Sequence, residues 1–361
     1  MTDTIVIAGG GTGGHLFPGI AIAEEFTRRK EGWEVIFIGT GKDLEKRMLP
    51  RWGFELMTVP ALPLKGRSWW RKGMGIITLL QGVWISRGLL RGIAPRLVIG
   101  LGGYAAGSVI IAASLLGTKR VIQEQNVYPG LTNRMAARFA QRVFLSWTEG
   151  TQFFPFKKVR VTGNPLRKGV LAGRGTKREG KPFTLLILGG SQGAATINRA
   201  MIEALASLEG IEKDLRIIHQ TGEGDYRWVK EKYKGKGFGV SVHPFIDEMA
   251  PCYQEAHLVV CRAGATTITE LCAWGRGSIL IPYPYAADDH QRKNAQVLVS
   301  QGAARMILDT ELSGKRLAEE ILFLYHGRKA LRAMETEATS LGRPDAAAQI
   351  VDECYQLLGL N

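Results

Sequence analysis

Cysteine is scarce in this chain of 361 residues, and Cys252, Cys261, Cys272 and Cys354 include no CxxC pair. That excludes a zinc ribbon and a disulfide framework, and points to reduced thiols in a cytosolic compartment. No apolar run approaches the ~20 residues that cross a bilayer, so any membrane contact is expected to be peripheral. The opening Met1 to Ile7 run has no basic region ahead of its apolar residues and turns straight into glycines, so no secretion signal is expected. Low-complexity tracts and internal repeats are absent, and 45% hydrophobic with 22% charged residues excludes a disordered or fibrous chain. Acidic residues are missing altogether between Glu55 and Glu124, a gap that holds Lys65, Arg67, Arg71, Lys72, Arg87, Arg91, Arg96, Lys119 and Arg120. Of the net charge of +14, residues 1–163 carry +12, so the basic surface belongs to the first half and would attract polyanions.

Glycine, by contrast, is abundant and placed. Ile5–Ala8 runs into Gly9, Gly10, Gly11, Thr12, Gly13 and Gly14; Leu97–Ile99 into Gly100, Leu101, Gly102 and Gly103; Leu185–Leu188 into Gly189, Gly190, Ser191, Gln192 and Gly193. Each turn follows an apolar strand-like run and precedes a helical pattern. Glycine there lets backbone approach a ligand closely, and a helix start offers free amides to negative charge. Two anionic ligands are therefore expected. Gly9, Gly11 and Gly14 also satisfy GxGxxG, but a dinucleotide fold needs an acidic residue closing its second strand, and Val35–Ile38 closes in Gly39 and Thr40.

Short apolar runs alternate with helical patterns through the first half, and the rhythm restarts at Phe183–Leu188 after the basic, glycine-containing segment 172–182. The expected fold is α/β, with two Rossmann-like doubly wound parallel-sheet domains. Residues 1–163 form the first and 164–342 the second, with the joint in the turn chemistry of Gly163, Asn164 and Pro165. A terminal helix within 343–361 is expected to pack back on the first domain.

His15 stands just after the first glycine turn, and because an unperturbed histidine can take a proton near neutral pH, a residue of this type there suits either proton transfer or simple binding of a phosphate. Arg262 and Ala263–Glu270 begin another helix with small residues. Its start suits a diphosphate, while Glu270 either accepts hydrogen bonds from paired ribose hydroxyls or is a solvated helix residue. Asp288 and Asp289 suggest a metal only if further oxygen ligands join them, and a helix N-cap is the simpler role for one; no metal is expected. Trp69, Trp70, Ile76, Leu80 and Trp84 interleave with Arg71, Lys72 and Arg87, the composition of a helix lying in a membrane interface. A core-packing helix with basic ends is the other reading. Nucleic acid is not expected, because these aromatics cluster with aliphatics.

Seven ordered motifs carry a resemblance along nearly the whole chain: Gly10 to His15 with Phe17-Pro18-Gly19, Gly102-Gly103-Tyr104, Glu124-Gln125-Asn126, Gly163 to Arg167, Gly189 to Ala194, Gly264 to Glu270, and Asp288 to Gln291 with Asn294-Ala295. Together they resemble the MurG family, the bacterial undecaprenyl-diphospho-muramoylpentapeptide β-N-acetylglucosaminyltransferases. The resemblance implies a GT-B fold whose domains face across a cleft, UDP-N-acetylglucosamine bound mainly by the second domain, and lipid I by the first. By motif, Thr12, Gly13, Gly14, Asn126, Arg167, Ser191, Ile246, Ala265, Thr266, Thr267, Ile268, Thr269, Glu270 and Gln291 would contact the donor. Gly13, Gly14, Gly102, Gly103 and Tyr104 would meet the acceptor diphosphate. His15 is the expected general base, with Glu124 second, in an inverting transfer that needs no cofactor or metal. An anionic membrane surface and other cell-wall synthesis proteins are the implied partners, at the cytoplasmic face of the plasma membrane. One position departs from the family pattern: Gln123 stands where many relatives have histidine. A UDP-N-acetylglucosamine 2-epimerase and a non-catalytic, membrane-recruited sensor of UDP-sugars are the rival functions.

Overall fold

The computed structural model describes residues 3–29, 32–60, 69–175, 182–190 and 192–360, with side chains for all of these except 69–76. The chain divides into two compact units, Met1–Arg167 with Pro344–Asn361, and Lys168–Arg343.

In the first unit the order is β1 (Asp3–Ala8), α1 (Gly13–Arg29), β2 (Trp33–Gly39), α2 (Asp43–Met48), β3 (Glu55–Thr58), α3 (Trp69–Ile93), β4 (Leu97–Gly100), α4 (Gly103–Leu115), β5 (Lys119–Glu124), α5 (Leu131–Ala136), β6 (Arg142–Leu145) and β7 (Val159–Val161). The strands pair in parallel in the order β3-β2-β1-β4-β5-β6-β7. Their apolar runs are continuous because both faces are covered. Ile5 and Ile7 face one core with Leu16, Ile20 and Phe26 of α1, while Val6 and Ala8 face another with Val109 and Ile110 of α4.

The second unit runs α6 (Lys168–Leu171), β8 (Phe183–Leu188), α7 (Ala195–Ala204), β9 (Leu215–Gln220), α8 (Tyr226–Tyr233), β10 (Gly239–His243), α9 (Met249–Glu255), β11 (Leu258–Cys261), α10 (Ala265–Trp274), β12 (Gly277–Leu280), α11 (His290–Ser300), β13 (Arg305–Met306), α12 (Gly314–His326) and α13 (Arg328–Leu341). Its parallel sheet has the order β10-β9-β8-β11-β12-β13, the same winding as the first. Both sheets therefore reverse direction beside their first strand, and the crevice at the carboxyl ends of such strands is where doubly wound folds bind ligands.

The chain then returns to the first unit as α14 (Ala346–Leu358), which buries Ile350, Val351 and Cys354 in the core that α1 lines. Trp33 Nε1 donates to the Tyr355 hydroxyl at 2.9 Å, and Glu353 pairs with Arg142 and Arg160 at 3.3 and 3.2 Å. Cys261, Cys272 and Cys354 are buried free thiols, and burial pushes Cys272 up to about 12, so these are inert packing groups.

Candidate active site

At the reversal point of the first sheet, the turn after β1 meets the turn after β4. Leu101 N donates to Ala8 O at 2.8 Å, which draws the two turns together. The first turn of α1 closes on Thr12 O, which accepts from the amides of His15 and Leu16 at 3.2 and 3.1 Å. The amides of Gly13 and Gly14 lie ahead of that closure, at the helix end that favours anions. Thr12 Oγ1 lies 3.3 Å from His15 Nδ1. Gly102, the residue before α4, has φ +94°, and a Cβ there would stand 3.2 Å from His15 Nε2 and 3.1 Å from Asn133 Nδ2. His15 thus faces the start of α4, where Gly103 and the 41% exposed Tyr104 follow.

A carboxylate absent from the expected set organises this turn. Glu45, in α2, is fully buried, and its Oε1 accepts from Gly11 N and the Thr40 hydroxyl while Oε2 accepts from Gly41 N at 2.7 Å and Lys42 N at 3.3 Å. The pairing with Lys42 is a capping box, a local signal; the pairing with Gly11 spans 34 residues and leaves none in the sequence. A Cβ on Gly10 would collide with this carboxylate at 2.2 Å, so glycine is required there by a side chain as well as by φ +147°.

Glu124 is buried at the end of β5 with four donors on it. Oε1 takes Asn126 N at 3.0 Å and Asn126 Nδ2 at 3.3 Å; Oε2 takes Gly130 N at 3.2 Å and Asn133 Nδ2 at 2.8 Å. Burial raises its pKa, with those hydrogen bonds pulling the other way. A carboxylate offers about four lone-pair sites, so the donors fill it. Asn133, held by Glu124, therefore lies beside the Gly102 turn that His15 also faces, a neighbourhood that no local pattern announces. Gln123, also buried, donates to Ser146 Oγ at 3.3 Å and Asn164 Oδ1 at 3.2 Å. The Arg167 guanidinium lies over the Phe17 ring at 4.4 Å and the Trp52 ring at 5.3 Å, which sets it beside α1.

The second sheet presents the turn after β8 and the start of α10. Ser191 lies outside the described residues. Beneath the turn, His219 is buried between the Tyr233 hydroxyl, 2.9 Å from Nδ1, and Asn198 Oδ1, 3.0 Å from Nε2. Burial lowers its pKa to about 3, so it is neutral. Helix α10 opens after Gly264. Ile268 is fully buried and Thr269 Oγ1 donates to Ala265 O at 2.8 Å, so those two side chains serve the helix and its core. Thr266 Oγ1 is buried with no hydrogen-bond partner, an orphan hydroxyl at an anion-favouring helix start. Glu270 is 8% exposed, and its Oε2 accepts from the Tyr253 hydroxyl at 2.7 Å. Gln291 Oε1 accepts from Tyr283 N at 3.0 Å, and Ile246 is half-buried after β10. Asp288 and Asp289 both take left-handed backbone, with φ 54° and 55°. Asp289 stands at the N-cap position of α11 without a side-chain cap bond. Among the described residues no group of three or more His, Cys, Asp or Glu could hold a metal.

On α3, Leu80 is 64% and Trp84 77% exposed, in line with Ile77, whereas Val83 and Leu90 pack into the core shared with α4. The helix thus packs one face and bares the other. Arg87 is half-buried. The side chains of Trp69, Trp70, Arg71, Lys72 and Ile76 lie outside the described residues. No helix among those described is long and apolar enough to cross a membrane.

Comparison with known proteins agrees with this layout. Residues 5–145 match the glycosyltransferase family 28 N-terminal domain, and residues 184–350 its C-terminal domain. A UDP-N-acetylglucosamine–N-acetylmuramyl-(pentapeptide) pyrophosphoryl-undecaprenol N-acetylglucosamine transferase of Citrifermentans bemidjiense is 48% identical over 96% of this chain and 98% of its own length. The enzyme of the same name in Syntrophus aciditrophicus is 46% identical over the full length of both. Among solved structures, Acinetobacter baumannii MurG superposes with a TM-score of 0.80 at 29% identity, covering 98% of this chain and 99% of its own. A UDP-N-acetylglucosamine 2-epimerase reaches 0.68 at 12% identity, covering 99% and 97%, a likeness of fold alone.

Proposed function

The chain belongs to the family of UDP-N-acetylglucosamine–N-acetylmuramyl-(pentapeptide) pyrophosphoryl-undecaprenol N-acetylglucosamine transferases, and on that premise we propose how its residues divide the work. It is a glycosyltransferase that moves N-acetylglucosamine from UDP-N-acetylglucosamine to the N-acetylmuramyl sugar of lipid I, forming lipid II for peptidoglycan. The sugar is α-linked in the donor and β-linked in the product, so the muramyl C4 hydroxyl displaces UDP in one step with inversion. That step needs a base for the hydroxyl proton and positive charge for the departing diphosphate.

His15 is the base in this reading. The tautomer this role needs is the one in which Nδ1 donates to Thr12 Oγ1, 3.3 Å away, and Nε2, which faces the Gly102 turn, is the accepting nitrogen. Glu124 is set aside as proton acceptor because four donors already occupy it; it holds Asn126 and Asn133 in place. The acceptor diphosphate lies against the amides of Gly13, Gly14, Gly102 and Gly103 with Tyr104 at the rim. The donor diphosphate lies at the start of α10, where Ala265 to Thr267 amides and the Thr266 hydroxyl stabilise the leaving charge without a metal. Glu270 accepts from the ribose hydroxyls, and the Gln291 amide nitrogen, its oxygen being engaged by Tyr283, donates to the sugar. Ile77, Leu80 and Trp84, on a helix inside the stretch with no acidic residue, dock the protein on an anionic membrane surface, peripherally and on the cytoplasmic side.

The observation that carries the site assignment is the pair of glycine turns with helix starts at both sheet reversals. The test is transfer of labelled N-acetylglucosamine to a short-chain lipid I analogue in EDTA. Wild type should transfer, and His15→Ala should lose about 10²-fold or more in kcat with little change in donor KM. Unchanged kcat would remove His15 as the base, and arrest by EDTA would remove the metal-free leaving step.

A further inference from the structure

The ribose-binding carboxylate is not held by its own helix alone. Tyr253, in α9 and fully buried, places its hydroxyl 2.7 Å from Glu270 Oε2. The phenol is fixed from several sides. Its ring stacks on Trp274 at 6.2 Å, Trp274 Nε1 is anchored on Val170 O at 2.8 Å, and Arg276 Nε donates to the Tyr253 carbonyl at 2.6 Å. Burial, and then the neighbouring carboxylate, push the phenol well above its usual range, so it stays a donor. A hydrogen bond to a charged oxygen in such surroundings fixes the plane of the carboxylate as well as its position.

We propose that Tyr253 is a positioning residue for the donor nucleoside: it presets Glu270 to receive the paired hydroxyls of a ribose, and so supports selection of ribonucleotide sugars over 2′-deoxyribonucleotide sugars. This rests on the reading that Glu270 meets the ribose. Phenylalanine would keep the ring stack and remove only the hydroxyl.

The experiment measures KM and kcat for UDP-N-acetylglucosamine and its 2′-deoxyuridine counterpart in full-length wild type, Tyr253→Phe, Glu270→Gln and the double variant. Tyr253→Phe should raise the ribose-donor KM about tenfold, or ~1.4 kcal/mol. It should leave kcat within about twofold and spare the deoxy donor, so the ribose preference narrows. The double variant should lose no more than Glu270→Gln does, because both act on one contact. If Glu270→Gln keeps the full ribose preference, the ribose reading itself is wrong and the role of Tyr253 goes with it. If Glu270→Gln abolishes the preference while a folded Tyr253→Phe keeps it, or if the two losses multiply, Glu270 stands and the positioning role is overturned. Should the phenylalanine variant not fold, 3-fluorotyrosine at position 253 decides: its more acidic hydroxyl should shift the ribose-donor KM alone, and equal shifts for both donors, or none, would overturn the proposal.

Discussion

Replacing Glu45 by glutamine should loosen the glycine turn that carries Thr12 to His15 while leaving the second unit untouched. The side chain is fully buried, and its two oxygens divide four donors between them, Gly11 N and Thr40 on Oε1, Gly41 N and Lys42 N on Oε2. Glutamine has one oxygen. Placed at Oε2 it keeps the Gly41 and Lys42 amides, and the Thr40 hydroxyl can turn to accept from the new NH2. Gly11 N then confronts a donor and loses its partner. Hydrogen bonds to a charged acceptor contribute about 1.5–3 kcal/mol, and a buried amide left unpaired costs about as much, so the loss should be about 2–3 kcal/mol. At about 2–4 °C per kcal/mol for a unit of this size, the melting transition of the first unit should fall by about 4–12 °C. In the labelled-transfer assay kcat should drop, because His15 rides on the freed turn, while the KM for UDP-N-acetylglucosamine should hold. A melting point within about 1 °C of wild type and unaltered kcat would refute the reasoning, and so would a change confined to donor KM.

Stability should fall in mild acid. The folded pKa of His219 is depressed to about 3, so between that value and the unfolded ~6.5 the unfolded state binds the extra proton. At pH 5 this one group should remove about 2 kcal/mol of the stability present at pH 7, and urea titrations of wild type and His219→Gln at both pH values should converge as pH falls; parallel curves would show that His219 is not the cause. Leu80→Ser with Trp84→Ser should cut binding to anionic vesicles severalfold and leave transfer to a soluble short-chain acceptor unchanged, since both side chains are mostly exposed; equal loss in both assays would make them packing residues. Gly102→Ala should lower kcat and cost about 1–2 kcal/mol, because φ +94° disfavours alanine and its methyl would press on His15 and Asn133; activity within twofold of wild type would separate that turn from the chemistry.

The strands were legible because burial on both faces leaves continuous apolar runs such as Phe183–Leu188, and the turns because glycine clusters directly after those runs. Chain direction at a sheet reversal then marks, in each unit, the crevice where doubly wound folds bind ligands. What the sequence did not reveal are partners joined across the fold. Glu45 and Gly11, Asn133 and Glu124, and Tyr253 and Glu270 are ordinary residues whose meaning arises only when separate segments meet. Arg167 was legible as a cation, but its seat over Phe17 and Trp52 depends on a turn folding back on α1. The run around Trp84 could be a core helix or a surface one by composition, and packing on α4 made it both, one face to each.

The return of α14 to the first unit sets an order on biosynthesis. A ribosome making this chain joins the last residue of Lys168–Arg343 before it makes the helix that completes Met1–Arg167. Met1–Arg167 is thus completed only after Lys168–Arg343 has been made, and until α14 emerges the nascent first unit lacks Ile350, Val351 and Cys354 from its core and Tyr355 from Trp33. Premature termination between Arg343 and Ile350 would leave Lys168–Arg343 with its full sequence and Met1–Arg167 without the helix that closes its core, so proteolysis of such a product would fall on the first unit.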